Sequence, residues 1–218
     1  MKKNVLWNAL AAVEVLLAVI VIAVDWLIPT LVILAIMVVS LLARREKPAV
    51  LGFKSGARFG RMAVQVFLLV LVWTLLHVLV FVPVLNHLTG STHDLSAYAD
   101  LKGNLGQLAV FLAFTWTLAA FGEEIVYRGY LQRRVMDVFG ENTAGIVLGI
   151  GFSSLLFGLA NTEQGFIGVV LATLDALFFS ALKWRYGNNL WASILAHGFS
   201  NTIGLAAFYF VGPVYGFW

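Results

Sequence analysis

The sequence predicts an all-α fold, a polytopic membrane helix bundle of about seven to eight transmembrane helices forming one domain over residues 1–218. Three observations predict it. The 218 residues are 61% hydrophobic and only 11% charged, with a mean hydropathy of +0.92, which is the composition of an integral membrane protein rather than a soluble domain. Apolar runs recur along the chain at close to the ~20 residues a helix needs to cross the hydrocarbon core. Lysines and arginines collect at alternate ends of those runs, as they do in multi-pass proteins.

Seven runs qualify: 5–24, 26–43, 62–85, 105–126, 143–160, 166–182 and 189–211. The first follows Met1-Lys2-Lys3 and starts as a signal peptide does. No small-residue cleavage site follows and a second apolar run comes at once, so it reads as a retained anchor. Residues 1–61 then form an N-terminal helix pair with a basic loop, and 62–218 form a core that carries the polar site. The stretch ARREKPAVLGFKSGARFG (43–60) is basic and suited to anionic headgroups. LNHLTGSTHDLSAYADLKGN (85–104) is polar and reads as an exterior loop. The fifth and sixth runs are short.

Orientation follows from the basic residues. Lys2 and Lys3 precede the first run; Arg44, Arg45, Lys47, Lys54, Arg58 and Arg61 lie between the second and third. Arg128, Arg133 and Arg134 follow the fourth, and Lys183 and Arg185 follow the sixth. All of these fall on one side and only Lys102 on the other, which predicts a cytoplasmic N-terminus and an exterior C-terminus. The same bias puts Glu123 and Glu124 at a cytoplasmic helix end. Trp7, Trp26, Trp184, Trp191 and Trp218 lie mostly near the ends of runs, as an interfacial belt would.

Several functional classes are excluded or weakened. The chain has no cysteine, so neither disulfides nor thiol chemistry applies. It has no phosphate loop, nucleotide fingerprint, HExxH helix or GxSxG elbow, and nothing points to nucleic acid. The absence of an internal repeat counts against a secondary transporter, whose halves often echo one another.

The chemistry lies in polar groups set inside apolar runs, where ionisable side chains are costly and mark function. After the uncharged residues 105–122 come Glu123 and Glu124, with Arg128 one turn on. Glu124 and Arg128 are four apart and share a helix face, so they pair. Glu123 is rotated by roughly 100° and faces elsewhere, free to act as a general base inside the bundle. The competing reading makes all three interfacial charges at a helix end. His197 and Asn201, also four apart, share a face on which they hold a water, a metal or an oxyanion, or else bond a neighbouring helix. Asn161, at the end of FSSLLFGLAN, is a third candidate or a helix C-cap. Glu14 and Asp175, each inside a run, pair with a basic group, line a cavity or bond a neighbouring helix as protonated carboxyls.

Taken together, Glu123-Glu124-x-x-x-Arg128, Phe157-x-x-x-Asn161 and His197-x-x-x-Asn201 resemble the three motifs of the CPBP family, the intramembrane CAAX-protease and bacteriocin-processing (Abi) enzymes. The likeness covers roughly 105–205. The Leu-Gly-Phe of the basic loop and NNLWASILAHGFSNT are similar too. The resemblance implies a multi-pass peptidase of a bacterial cytoplasmic membrane, with its site in an intramembrane cavity open to the cytosol. Its partners would be membrane lipid and a peptide or membrane-anchored protein substrate. By this pattern Glu123 activates a water, while His197 and Asn201 bind the oxyanion or a divalent metal such as zinc; whether any cofactor is needed stays open.

One position departs from the family. Its second motif ends in histidine, where this chain has Asn161, which neither accepts a proton at neutral pH nor ligates zinc-like metals as imidazole does. Glu163 compensates only if the helix ends there, and for the three motifs to converge the fifth helix must be shifted or end within the membrane, broken near Gly165. Three functions follow: an intramembrane endopeptidase; a pseudoenzyme of the same fold that binds a membrane partner or peptide; and a transporter.

Overall fold

The computed structural model describes residues 2–54, 56 and 58–212, with side chains from Val5 onward, and its elements are helices joined by turns and loops. Trp218 lies outside the described residues. In chain order the helices are α1 (Lys2–Ala23), α2 (Pro29–Arg44), α3 (Phe59–Thr89), α4 (Leu105–Phe139), α5 (Thr143–Leu159), α6 (Gly165–Arg185) and α7 (Leu190–Phe210). Local chemistry sets their starts. Pro29 opens α2, where its missing N–H costs nothing. Asn104, Asn142 and Asn189 cap α4, α5 and α7, each accepting a backbone N–H through its side-chain oxygen.

Among the described residues four helices, α1, α3, α4 and α6, are long and apolar enough to cross a membrane. The second and fifth runs form apolar helices of 16 and 17 residues. The sixth run, expected to be short, is a helix of 21 residues. α7 is as long but does not count among the four, because its length is spent partly on Ser193, His197, Ser200, Asn201 and Thr202.

The largest difference from expectation is in α4. The apolar run stops at 126, yet the helix continues to Phe139, so Glu123 and Glu124 lie within the rod and not at an interfacial end. From Thr115 to Glu123 and again from Ile125 to Leu131 the turns widen to π-helix, a rare geometry concentrated at functional sites. α3 has a shorter π segment at His77–Phe81.

α4 sits at the centre. Its Val126, Tyr127, Tyr130 and Leu131 pack with Ile33 of α2, Phe157 of α5 and Ile194 of α7. A second cluster joins α3, α6 and α7 through Val66, Val70, Phe179 and Ala196. The outward faces of α1 and α3 carry exposed Leu6, Leu16, Val64 and Leu75, the apolar surface a lipid-facing helix requires. α5 and α6 meet closely at Gly158, where a Cβ would stand 1.9 Å from Thr173 Oγ1 and 2.7 Å from the Val169 carbonyl oxygen, the small-residue contact by which membrane helices pack.

The Leu-Gly-Phe of the basic loop forms a plug. Leu51 is buried against Gly129, the Gly52 carbonyl accepts the Leu190 N–H at 2.8 Å, and Phe53 packs edge-on against Trp191. Gly52 has a φ of +99° and a Cβ there would lie 3.0 Å from the Asn188 carbonyl oxygen, so glycine is required.

The same end of the bundle holds an ion network. Glu14 stands 3.1 Å from Arg44 and 2.9 Å from Arg134, and Arg134 reaches Glu46 at 2.7 Å and Asp137 at 2.6 Å. Of the readings open for Glu14, pairing with basic groups is the one observed.

Candidate functional site

Glu124 is fully buried and committed. Its Oε1 lies 2.9 Å from an Arg128 nitrogen and 2.9 Å from His197 Nδ1. Arg128, also fully buried, lies 4.4 Å over the Phe157 ring, 5.6 Å over Phe179 and 5.9 Å over Tyr127, so its charge is met by one carboxylate and three ring faces. Lys183 donates to the Arg128 carbonyl oxygen. A carboxylate can only accept, so the contact with Glu124 places the proton of His197 on Nδ1. The His197 ring is stacked on Phe179 at 5.1 Å and edge-on to Phe157 at 5.7 Å. Its orientation is therefore fixed from three sides.

Glu123 is placed differently. It borders three cavities, of about 390, 300 and 580 Å³. The first also holds Asn161, His197 and Asn201. The sequence-predicted residues thus divide: Glu123, Asn161, His197 and Asn201 share one cavity, and Glu124 with Arg128 stands behind them. Interfacial exposure, the competing reading for the glutamates, does not hold.

Convergence depends on how α5 ends. The helix stops at Leu159, Asn161 begins a short 3₁₀ turn over Thr162–Gln164, and α6 starts at Gly165 with a φ of +74°, a backbone conformation that favours glycine. Asn161 is not free in this turn. Its Nδ2 donates to the Phe157 carbonyl oxygen at 2.7 Å and its Oδ1 accepts from Gln164 at 3.0 Å. Because the helix has ended, Glu163 also reaches the cavity wall.

A facing wall escaped the motif reading. Asp175 of α6 accepts from Trp73 Nε1 at 2.6 Å and stands 3.1 Å from His77 Nε2, both on α3; lining the cavity is thus the reading observed for Asp175. Trp73 is stacked on Phe178 at 4.4 Å. His93, from the loop after α3, lies 3.1 Å from Gln164 Oε1. Burial lowers the pKa of the His93 imidazole, against a smaller raising effect from Gln164. Burial first, then the carboxylates of Glu163 and Glu123, push the phenol of Tyr98 up. A polar group inside the third apolar run was the available signal for His77; no spacing pointed to His93.

Residues 105–203 match the family of type II CAAX prenyl endopeptidase Rce1-like proteins. The match is consistent with a CPBP-family intramembrane peptidase and covers the segment that carries all three motifs. No curated protein and no solved structure matches the chain. The Rce1-like segment runs from the start of α4 into α7, so it contains Glu123, Asn161 and His197 but neither His77 nor His93. At the level of the family, the match supports a membrane endopeptidase.

The donors do not fit a zinc-like metal. Among the described residues no three His, Cys, Asp or Glu side chains come together as ligands would. His197 is the only imidazole in the three motifs, and the Asn161 oxygen is taken by Gln164.

Proposed function

We propose that the chain is an intramembrane endopeptidase in which Glu123 activates a water against a peptide carbonyl. The observation that carries this reading is the contrast between two adjacent carboxylates, one locked to Arg128 and His197 and the other set where three cavities meet. Glu123 takes a proton from the water as its oxygen bonds to the carbonyl carbon. The Asn201 amide donates to the oxyanion, and His197, with its proton on Nδ1 toward Glu124, presents Nε2 as an acceptor to the attacking water. As the intermediate collapses and the C–N bond breaks, Glu123 returns the proton to the departing amine. Glu124 and Arg128 act by positioning.

The test is mass spectrometry of membrane-protein termini in cells expressing the native chain, Glu123→Gln and Asn161→His. New termini that disappear with Glu123→Gln support the peptidase. Termini unchanged in that variant refute it.

One observation favours a second reading. The Asn161 amide is engaged on both sides by Phe157 and Gln164, leaving the second motif with no group that can take a proton. A pseudoenzyme that binds a peptide or membrane partner in the same cavity would show termini only with Asn161→His.

A further inference from the structure

We infer that the cavity holding Glu123 opens on the extracytoplasmic side of the membrane and takes a peptide segment presented there, rather than a protein anchored to the cytoplasmic leaflet. The inference rests on reading that cavity as the substrate site.

Two independent observations meet. The first is where the cavity lies. Its walls come from the second half of α3 (Trp73, His77), the loop after it (His93, Tyr98), the end of α5 and turn beyond it (Asn161, Glu163), and the second half of α7. The adjoining cavity reaches the α1–α2 turn at Asp25 and Pro29. All of these belong to one end of the bundle. The other end carries the N-terminus, the loop between α2 and α3, and the α4–α5 and α6–α7 turns.

The second observation is charge. Arg44, Arg45, Lys47, Lys54, Arg58, Arg61, Arg133, Arg134 and Arg185 all belong to the far end, as do Lys2 and Lys3, while the cavity end has Lys102 alone. Buried Arg128 and Lys183 need not be counted on either side. A bias this strong over short loops puts the basic end in the cytoplasm, so the cavity end faces away from it.

Access from the basic end is blocked. Every residue from Glu124 to Gln132 is buried, Leu51 covers Gly129 from that side, and Lys183 closes on the Arg128 carbonyl and stands 3.4 Å from Gln132 Oε1. A substrate reaching Glu123 therefore comes past the loop after α3 and the turn after α5. The resemblance implied a cavity open to the cytosol; the placement of these residues reverses that side.

Because the chain has no cysteine, single cysteines report the side directly. Ser91→Cys in the loop after α3, Glu163→Cys at the cavity wall and Ala49→Cys in the basic loop would each be exposed. Each variant is treated in intact cells of a bacterial host, and after permeabilisation, with a charged, membrane-impermeant maleimide. The expected result is labelling at 91 and 163 in intact cells, and at 49 only after permeabilisation. Labelling of 49 in intact cells, or of 91 or 163 only after permeabilisation, overturns the inference. So does labelling at 91 with 163 shielded, because the cavity then has no mouth on that face. The readout needs no activity. If 91 and 163 label from outside while Glu123→Gln alters no termini, the orientation stands and the peptidase reading falls.

Discussion

Glu124 Oε1 lies 2.9 Å from His197 Nδ1, joining two helices across 73 residues of sequence. The same oxygen meets Arg128 at 2.9 Å, so one carboxylate both neutralises a buried cation and aims a cavity-lining imidazole. Removing it does two kinds of damage. Glu124→Ala leaves Arg128 buried without its counter-charge and is expected to destabilise the protein by about 3–5 kcal/mol, measured by denaturant or thermal unfolding in detergent. Glu123→Gln breaks no ion pair and is expected to leave stability near native. Equal losses in the two variants would contradict the division between a paired carboxylate and an unpaired one.

The division itself was legible in the sequence, because Glu124 and Arg128 stand four apart and the pairing frees Glu123. The bond to His197 was not, since helix periodicity says nothing of which helices will face each other. The seven runs anticipated the seven long helices of the described residues. Hydropathy failed at the end of α4 but placed the end of α5 to within one residue. α4 continues past its apolar run because Arg134 finds Glu14 and Glu46, which are far away in sequence, and so stays helical and buried. α5 ends at Leu159, where its apolar run ends, and its last turn is closed by Asn161 and Gln164. This end is what brings the second motif to the cavity of Glu123.

Arg134 gives a second prediction. It is about 1% exposed at its side chain and faces Glu14, Glu46 and Asp137. Arg134→Met would remove the cation and leave Glu14, Glu46 and Asp137 with only Arg44 and, at Asp137, Arg133 against them. A loss of about 3–5 kcal/mol is expected. Arg134→Lys should recover only part of it, because an ammonium lacks the planar fork that serves several carboxylates at once. Full recovery in the lysine variant, by the same unfolding assay, would show that charge alone matters here.

A third prediction concerns the contact of α5 with α6. In Gly158→Ala the new methyl would overlap Thr173 Oγ1, a movable atom, and also approach the Val169 carbonyl oxygen at 2.7 Å, a fixed one. Overpacking of this kind costs about 1–3 kcal/mol. Adding Thr173→Ala should restore only the part due to the hydroxyl. A double variant as stable as the native chain would mean that the backbone contact costs nothing.

The last prediction is a pH dependence in the loop after α3. His93 sits against Gln164, with Asp94, His77 and Asp175 the charged or titratable groups around it. Burial is the largest effect and lowers its pKa from the ordinary 6.5, outweighing the raising effects of Gln164 and the two aspartates. The docked loop therefore binds a proton less readily than the released loop, and protonation favours release. Docking is unaffected by this group above about pH 6.5 and weakens as the pH falls below it. Hydrogen exchange of residues 90–104 is expected to quicken between pH 7.5 and pH 5.5 beyond the intrinsic change in rate. In His93→Gln, which keeps a side chain able to bond Gln164 but cannot titrate, that extra acceleration should vanish. If it persists in the glutamine variant, the titrating group is not His93, and the loop is released for another reason.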